Sequence, residues 1–179
     1  MLSLSGKRVL VVGANGSFGA EFCNQFMSAG ALVIGTATGA ESSIRLDANL
    51  QQRLLLDLRS QESINTLARY LLQIPEQLDG IVITSGIVAF GAISDTPVEV
   101  QNQLSQVNAT GPINLVSQLI PKLAATAASG GSPFIVTISG VIAESPMAGL
   151  AAYSSSKTAL HGFAIAAAKE LKKLGIRWL

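Results

Sequence analysis

The glycine-rich segment Gly13-Ala-Asn-Gly16-Ser-Phe-Gly19 is the feature that most constrains the fold of this chain. It follows a short β-rich run at residues 8–12 and opens residues 17–29, where apolar residues repeat at helical spacing. Glycines between a strand and a helix allow a tight turn, close approach of the backbone to a pyrophosphate and close helix–strand packing. In this context the segment predicts a dinucleotide-binding unit.

Apolar runs alternate with helical patterns along the rest of the chain. Further strands are predicted over residues 31–36, 53–56, 80–84, 133–138 and 175–179, helices over 61–73, 98–128 and 151–173, and loops over 39–49 and 129–132. This alternation predicts βαβ units and an α/β fold, a doubly wound parallel sheet with helices on both faces, Rossmann-like in type. Because we find no repeat or linker, residues 1–179 are predicted to form a single domain.

The composition limits the classes of partner. A mean hydropathy of +0.45 with 13% charged residues suits a sheet that is buried on both faces. A net charge of +1 provides no basic field for binding nucleic acid or a membrane surface. No apolar stretch reaches the ~18 residues of a spanning helix, and the start lacks the order of a signal peptide. With one cysteine, Cys23, and no metal site predicted, we expect a cytoplasmic protein.

The second informative motif is Tyr153-Ser-Ser-Ser-Lys157, within the predicted helix at 151–173. Residues four apart on a helix share one face. A lysine ammonium within ~4–6 Å of a phenol stabilises the phenolate, so that Tyr153 becomes usable as a general acid/base. Combined with the glycine turn, this pair predicts hydride transfer with a nicotinamide cofactor.

On these two motifs the chain resembles the short-chain dehydrogenase/reductase family over essentially its whole length. The resemblance implies that Tyr153 protonates a substrate carbonyl while Lys157 binds the nicotinamide ribose. It also implies that Asp57 lies beside the adenine and that Asn108 holds a water in a proton relay. The implied catalytic residues are Tyr153, Lys157, Ser139 and Asn108, and the implied cofactor-binding residues are Gly13, Asn15, Gly16, Ser17, Phe18, Gly19, Thr36, Asp57, Leu58, Ser85, Gly86, Tyr153 and Lys157.

The chain departs from the family pattern at several positions. The middle glycine of the usual turn would fall at Ser17, and the spacing found here resembles the extended branch of the family. Thr84 stands where an asparagine usually braces the sheet. The family serine would fall at Gly140, so the adjacent Ser139 is the candidate, ahead of Ser145. Family members continue past this point, so the chain is expected to lack their C-terminal portion.

The cofactor and the substrate are less well specified. The second predicted strand ends in Ile34-Gly-Thr36-Ala-Thr38 without the carboxylate that binds the ribose 2′-hydroxyl in NAD-selective sites. NADP is therefore preferred over NAD. Arg45 is a candidate for contacting the 2′-phosphate, although a solvated loop arginine is the favoured interpretation of this residue. The predicted partner is a small carbonyl or alcohol substrate, and the apolar segments 88–93 and 143–150 suggest a hydrophobic one.

Two other functions stay open at this point. The glycine at position 140 and Thr84 would also suit a nucleotide-binding sensor or scaffold without catalysis, and the glycine spacing would suit an isomerase or epimerase. The helices at 98–128 and 151–173 are rich in small apolar residues on more than one face. Because the family commonly pairs these two helices between subunits, the resemblance implies a homodimer or homotetramer.

Overall fold

The computed structural model describes residues 3–43 and 46–179. Its six strands are β1 (Arg8–Val12), β2 (Leu32–Ala37), β3 (Gln52–Leu55), β4 (Gly80–Ile83), β5 (Phe134–Thr137) and β6 (Arg177–Trp178). The helices are α1 (Ser17–Ser28), α2 (Ala40–Ser43), α3 (Gln61–Gln73), α4 (Val98–Ser105), α5 (Gly111–Ala128) and α6 (Ala151–Leu171). A π-helical segment, Gln106–Thr110, joins α4 to α5, and short 3₁₀ turns lie at Val141–Ala143 and Lys172–Leu174.

The strands form one parallel sheet in the order β3-β2-β1-β4-β5-β6. The chain moves outward from β1 to β3, then returns to the other side of β1 to form β4. Val12 and Ile83, the last residues of β1 and β4, are paired in register. This reversal of strand order places a crevice at the carboxyl ends of β1 and β4, the position where open α/β sheets bind ligands.

Helices cover both faces of the sheet because the strand side chains alternate between the two faces. In β1, Leu10 and Val12 belong to a core under α3 and α5, whereas Val9 and Val11 belong to a second core under α1. The apolar stripe of α3 supplies Ile64, Leu67, Ala68 and Leu71 to the first core. Residues 9–12 of the central strand are therefore buried.

The predicted fold class, a doubly wound parallel sheet with helices on both faces, is confirmed. The prediction of a loop over residues 39–49 is wrong in part, because it contains the single turn α2. Ser43 donates its backbone N–H to the carbonyl of Gly39 and its hydroxyl to the carbonyl of Ala40. One turn of helix is too short to produce a periodic apolar pattern. Among the described residues, no helix is long and apolar enough to span a membrane.

Candidate functional site

The three glycines of the turn differ in why, or whether, the structure requires a glycine at that position. Gly13 has φ of +83°, and a Cβ there would lie 2.9 Å from the backbone nitrogen of Ser85. A Cβ on Gly19 would lie 2.1 Å from the carbonyl oxygen of Gly13. Gly16, in contrast, has φ of −81° and one neighbour at 3.4 Å, so packing does not require a glycine there. The absence of a side chain at Gly16 leaves the approach to the turn open.

The N-terminus of α1 is suited to an anion. Gly16 is the N-cap residue, and no side chain caps the first turn. Helices begin with backbone N–H groups that lack intrahelical partners, and their dipole favours negative charge at this end. Ser17 and Phe18 are exposed here, and Asn15 is half-buried just before the cap. The predicted phosphate-binding turn therefore has free donors at its open side.

A cavity of about 280 Å³ lies beside this turn, at the carboxyl edge of the sheet. Ser85 contributes a buried hydroxyl oxygen that has no hydrogen-bond partner among the described residues. The cavity is lined by residues from several segments of the chain: Val12, Gly13, Thr36, Ala37, Thr38, Leu56, Asp57, Leu58, Arg59, Ser85, Ile87, Gln103 and Val107. Five predicted cofactor-binding residues, from four separate segments of the chain, are therefore brought to one cavity.

Thr36 and Thr84 hold the turn against the neighbouring strands. The Thr36 hydroxyl accepts the N–H of Gly13 at 3.2 Å, and Thr36 is 1% exposed. The Thr84 hydroxyl donates to the carbonyl of Val12 at 2.8 Å, across the junction of β1 and β4. Thr84 thus braces the sheet where the family has an asparagine, and this departure from the pattern does not leave the junction unsupported.

Asp57 is engaged by a neighbouring arginine. Its Oδ1 accepts the Nε–H of Arg59 at 2.9 Å, and its Oδ2 accepts Nη2–H at 2.8 Å. The backbone N–H of Arg59 also donates to Oδ1, and the backbone N–H of Asp57 donates to the Ser63 hydroxyl. The side-chain hydrogen bonds from Arg59 lower the pKa of Asp57. The carboxylate is therefore held ionised and in a fixed orientation at the cavity wall.

Asn108 is the centre of a buried polar network. It is 0% exposed and lies in the π-helical segment, a kind of irregularity that is frequent at functional sites. Its Oδ1 accepts the N–H of Ile87 at 2.9 Å, and its Nδ2 donates to the carbonyl of Ile87 at 2.8 Å. Nδ2 also donates to the Ser156 hydroxyl at 3.0 Å. Asn108 thus ties the loop after β4 to the helix α6.

Lys157 lies next to this network with its ammonium group buried. It is 6% exposed, and Nζ donates to the carbonyl oxygen of Ile138 at 2.9 Å. A Cβ on Gly86 would lie 3.2 Å from this Nζ, so the glycine makes room for the lysine. Burial lowers the pKa of Lys157, and no carboxylate forms an ion pair with it in residues 3–43 and 46–179. Tyr153, half-buried, is four residues earlier on the same face of α6.

The end of β5 contributes Ser139 to the same edge. Ser139 is half-buried and follows Ile138, whose carbonyl binds Lys157. Gly140 has φ of +76°, and a Cβ there would meet nothing within 4 Å. There is consequently space for a side chain at the position where the family has its serine, but the backbone conformation favours glycine.

Sequence reasoning missed four contributors to the site. Arg59 and Ser156 carried no motif signal, although Ser156 lies within the Tyr153–Lys157 motif and Arg59 is two residues from Asp57. Ile87 and Ile138 act through backbone groups, which leave no signal in the sequence. Arg45, a candidate for contacting the 2′-phosphate, lies outside the described residues. In the part of the chain that the structure describes, no three metal-binding side chains cluster together.

Known proteins resemble this chain in both sequence and fold. The family model for short chain dehydrogenases matches residues 7–178. The chain is 30% identical over 176 residues to 2,3-dihydro-2,3-dihydroxybenzoate dehydrogenase of Escherichia coli, covering 98% of this chain and 68% of that protein. It is 30% identical over 175 residues to the rhamnolipids biosynthesis 3-oxoacyl-[acyl-carrier-protein] reductase of Pseudomonas aeruginosa, covering 94% and 68%.

Solved structures agree with this result. The Pseudomonas aeruginosa RhlG/NADP active-site complex superposes with a TM-score of 0.87 and 31% identity, over 98% of this chain and 71% of that chain. A short-chain dehydrogenase from Streptomyces avermitilis also gives 0.87, with 29% identity over 97% of this chain and 64% of that one. The chain thus spans about two thirds of the length of these proteins. The sequence motifs, the fold and the family match together show that this chain belongs to the short-chain dehydrogenase/reductase family of oxidoreductases.

Proposed function

We propose that this chain forms the dinucleotide-binding and catalytic part of an NAD(P)-dependent oxidoreductase that interconverts a ketone or aldehyde and an alcohol. The observation that carries the proposal is the burial of the Lys157 side chain with no ion-pair partner among the described residues. An ammonium group that is buried without a carboxylate is unfavourable in a purely structural role. It stands on the same helical face as Tyr153, at the edge of the sheet where the glycine turn lies.

The residues present fit a nicotinamide dinucleotide. The uncapped N-terminus of α1 offers backbone donors to a pyrophosphate, and Gly16 leaves its approach open. The buried Ser85 hydroxyl in the cavity has no hydrogen-bond partner within residues 3–43 and 46–179, so we expect it to bind a polar group of a ligand. Lys157 has three N–H donors and uses one on Ile138, which leaves two for ribose hydroxyls.

We propose the following roles for the chain's own residues. When bound, the nicotinamide supplies or accepts the hydride. For carbonyl reduction, the Tyr153 hydroxyl donates the proton that the developing alkoxide takes up, and for alcohol oxidation it accepts that proton. Lys157 stabilises the phenolate that remains on Tyr153 and orients the cofactor ribose. Asn108 positions the loop after β4, and Ser139 holds the substrate oxygen.

The substrate we propose is a small apolar carbonyl compound or alcohol. Exposed apolar side chains follow the ends of β4 and β5, among them Phe90 at 78%, Ile93 at 80% and Val141 at 78%. They lie in loops that begin at the carboxyl edge of the sheet, where the proposed reaction takes place. The single domain over residues 1–179, the homo-oligomeric assembly and the cytoplasmic location stay predictions.

A second candidate function is a nucleotide-binding protein without catalysis. It is favoured by Gly140, which stands where the family serine would hold the substrate oxygen. Losing such a donor costs on the order of 2.7–4 kcal/mol of transition-state stabilisation. If Ser139 does not replace it, the cofactor would bind but turnover would be low.

The two functions are separated by replacing Tyr153 with phenylalanine. Y153F removes one hydroxyl and keeps the ring, so NADPH binding should be unchanged while carbonyl-dependent NADPH oxidation falls by about 10²-fold or more. The chain has only one other tyrosine, the partly exposed Tyr70 on α3, and Y70F is therefore the matched control. Cofactor binding is followed by nicotinamide fluorescence, and turnover is measured over a panel of ketones and aldehydes.

The outcomes are distinct. Turnover that is lost in Y153F and kept in Y70F supports the oxidoreductase with Tyr153 as acid/base. Full turnover in Y153F would exclude that role for the tyrosine. Wild-type chain that binds NADPH but oxidises it with no member of the panel would favour the binding protein.

A further inference from the structure

The cavity beside the glycine turn has two ionisable lining residues, Asp57 and Arg59. They follow the end of β3, and they face the cavity together with Thr36, Ala37 and Thr38 from the end of β2. Asp57 and Arg59 neutralise each other through two side-chain hydrogen bonds of 2.8 and 2.9 Å. The cavity therefore carries no net charge that would repel an anionic ligand.

The guanidinium of Arg59 has donors left over. It has five N–H groups, and the pair with Asp57 uses one on Nε and one on Nη2. The two N–H groups of Nη1 and the second of Nη2 form no hydrogen bond within residues 3–43 and 46–179. Arg59 lines the cavity, and its side chain is 48% exposed. The hydrogen bonds to Asp57 fix the orientation of the Arg59 guanidinium, so less side-chain rotamer entropy is lost when an anion binds.

The end of β2 is where dinucleotide-binding folds distinguish NAD from NADP. A carboxylate there bonds the ribose 2′-hydroxyl of NAD, whereas an arginine nearby accommodates the 2′-phosphate of NADP. Here the β2 residues that line the cavity are Thr36, Ala37 and Thr38, which have no charge. The acidic residues closest along the chain, Glu41 and Asp47, are not among the lining residues. The charged group that shares this cavity with the end of β2 is the Asp57–Arg59 pair.

We propose that Arg59 is a specificity-determining residue that binds the adenosine 2′-phosphate and so favours NADP over NAD. Asp57 acts as the residue that orients the guanidinium. The inference rests on the proposed function, since it requires that a nicotinamide dinucleotide binds in this cavity. It assigns the 2′-phosphate contact to Arg59, whereas the sequence offered Arg45 only as a candidate.

The test is a binding titration that does not depend on catalysis. NADPH and NADH are titrated into the wild-type chain and into R59Q, and adenosine 2′,5′-bisphosphate and 5′-AMP are used as competitors that lack the nicotinamide. R59Q should weaken the binding of NADPH and of the bisphosphate by about tenfold or more. The variant loses a charge-assisted contact to the 2′-phosphate, and it leaves the charge of Asp57 uncompensated. NADH and 5′-AMP, which have no 2′-phosphate, should change less than about threefold.

One control variant makes the result specific. R69Q removes the same charge from the exposed surface of α3, outside the cavity, and should leave all four affinities unchanged.

The failures can be told apart. If R59Q lowers the affinity for NADPH and for NADH equally, or lowers neither, the role of Arg59 is overturned and the proposed function still stands. If the wild-type chain binds neither cofactor nor either competitor, both this inference and the proposed function fail.

Discussion

Replacing Gly16 with alanine should separate cofactor binding from folding at the glycine turn. Gly16 has φ of −81° and ψ of 163°, a conformation open to alanine, and its Cβ would have one neighbour, the Gly13 carbonyl oxygen at 3.4 Å. The free energy of unfolding should therefore stay within about 0.5 kcal/mol of the wild-type value. The added methyl group instead occupies the space through which a pyrophosphate reaches the helix N-terminus.

The expected loss of affinity follows from the hydrogen bonds at risk. Bonds between a backbone N–H and a charged phosphate contribute about 1.5–3 kcal/mol each. Displacing the phosphate from one of them should weaken NADPH and NADH alike, by about tenfold or more. Affinity is measured by nicotinamide fluorescence, and stability by urea unfolding followed by circular dichroism.

Gly19→Ala is the matched control, because it adds the same methyl group one helical turn away. Its Cβ would lie 2.1 Å from the Gly13 carbonyl oxygen and 2.8 Å from the Ala14 Cα, so the backbone has to shift. G19A should therefore lose about 1–3 kcal/mol of stability or more. The reasoning is refuted if G16A binds both cofactors as tightly as the wild-type chain, or if G16A and G19A are destabilised equally.

Two other predictions concern buried polar groups. Asn108→Ala removes three hydrogen bonds and leaves the N–H and carbonyl of Ile87 without partners, so it should cost about 2–5 kcal/mol in urea unfolding. Asn114→Ala, at an exposed site on α5, is the control, and an equally small effect in both would contradict the buried network. Burial raises the pKa of the Cys23 thiol from 9.0 to about 11. Stability should therefore fall as the pH rises from 9 towards 11, because the unfolded chain loses this proton first. At pH 8, native protein should react with iodoacetamide far more slowly than unfolded protein, and equal rates would show that the thiol is accessible.

Much of the architecture could be predicted from local patterns. Apolar periodicity located the strands and the long helices, and the family resemblance was confirmed by the match over residues 7–178. The exception was α2, because one turn is too short to produce a periodic pattern. The site residues named from the sequence stay predictions as to function, although Gly13, Thr36, Asp57, Leu58 and Ser85 do meet at one cavity.

The contacts that give this site its character were beyond prediction from the sequence. The bracing of β1 by Thr84 and the bond from Lys157 to the carbonyl of Ile138 join residues far apart in the chain. The π-helical segment around Asn108 left no sequence signal, and its bonds to Ile87 depend on where the loop after β4 packs.

The sequence by itself determined where the strands, the long helices and the glycine turn lie, and that Tyr153 and Lys157 share a helical face. These properties follow from backbone geometry that repeats every two or 3.6 residues, so they are encoded in neighbouring positions. Only the tertiary structure decided the strand order, the burial of Lys157 with no ion-pair partner among the described residues, and the meeting of Arg59 with the end of β2 at one cavity. Those features depend on how distant segments pack together, because burial and hydrogen-bond partners are set by neighbours in space and not by neighbours in the chain.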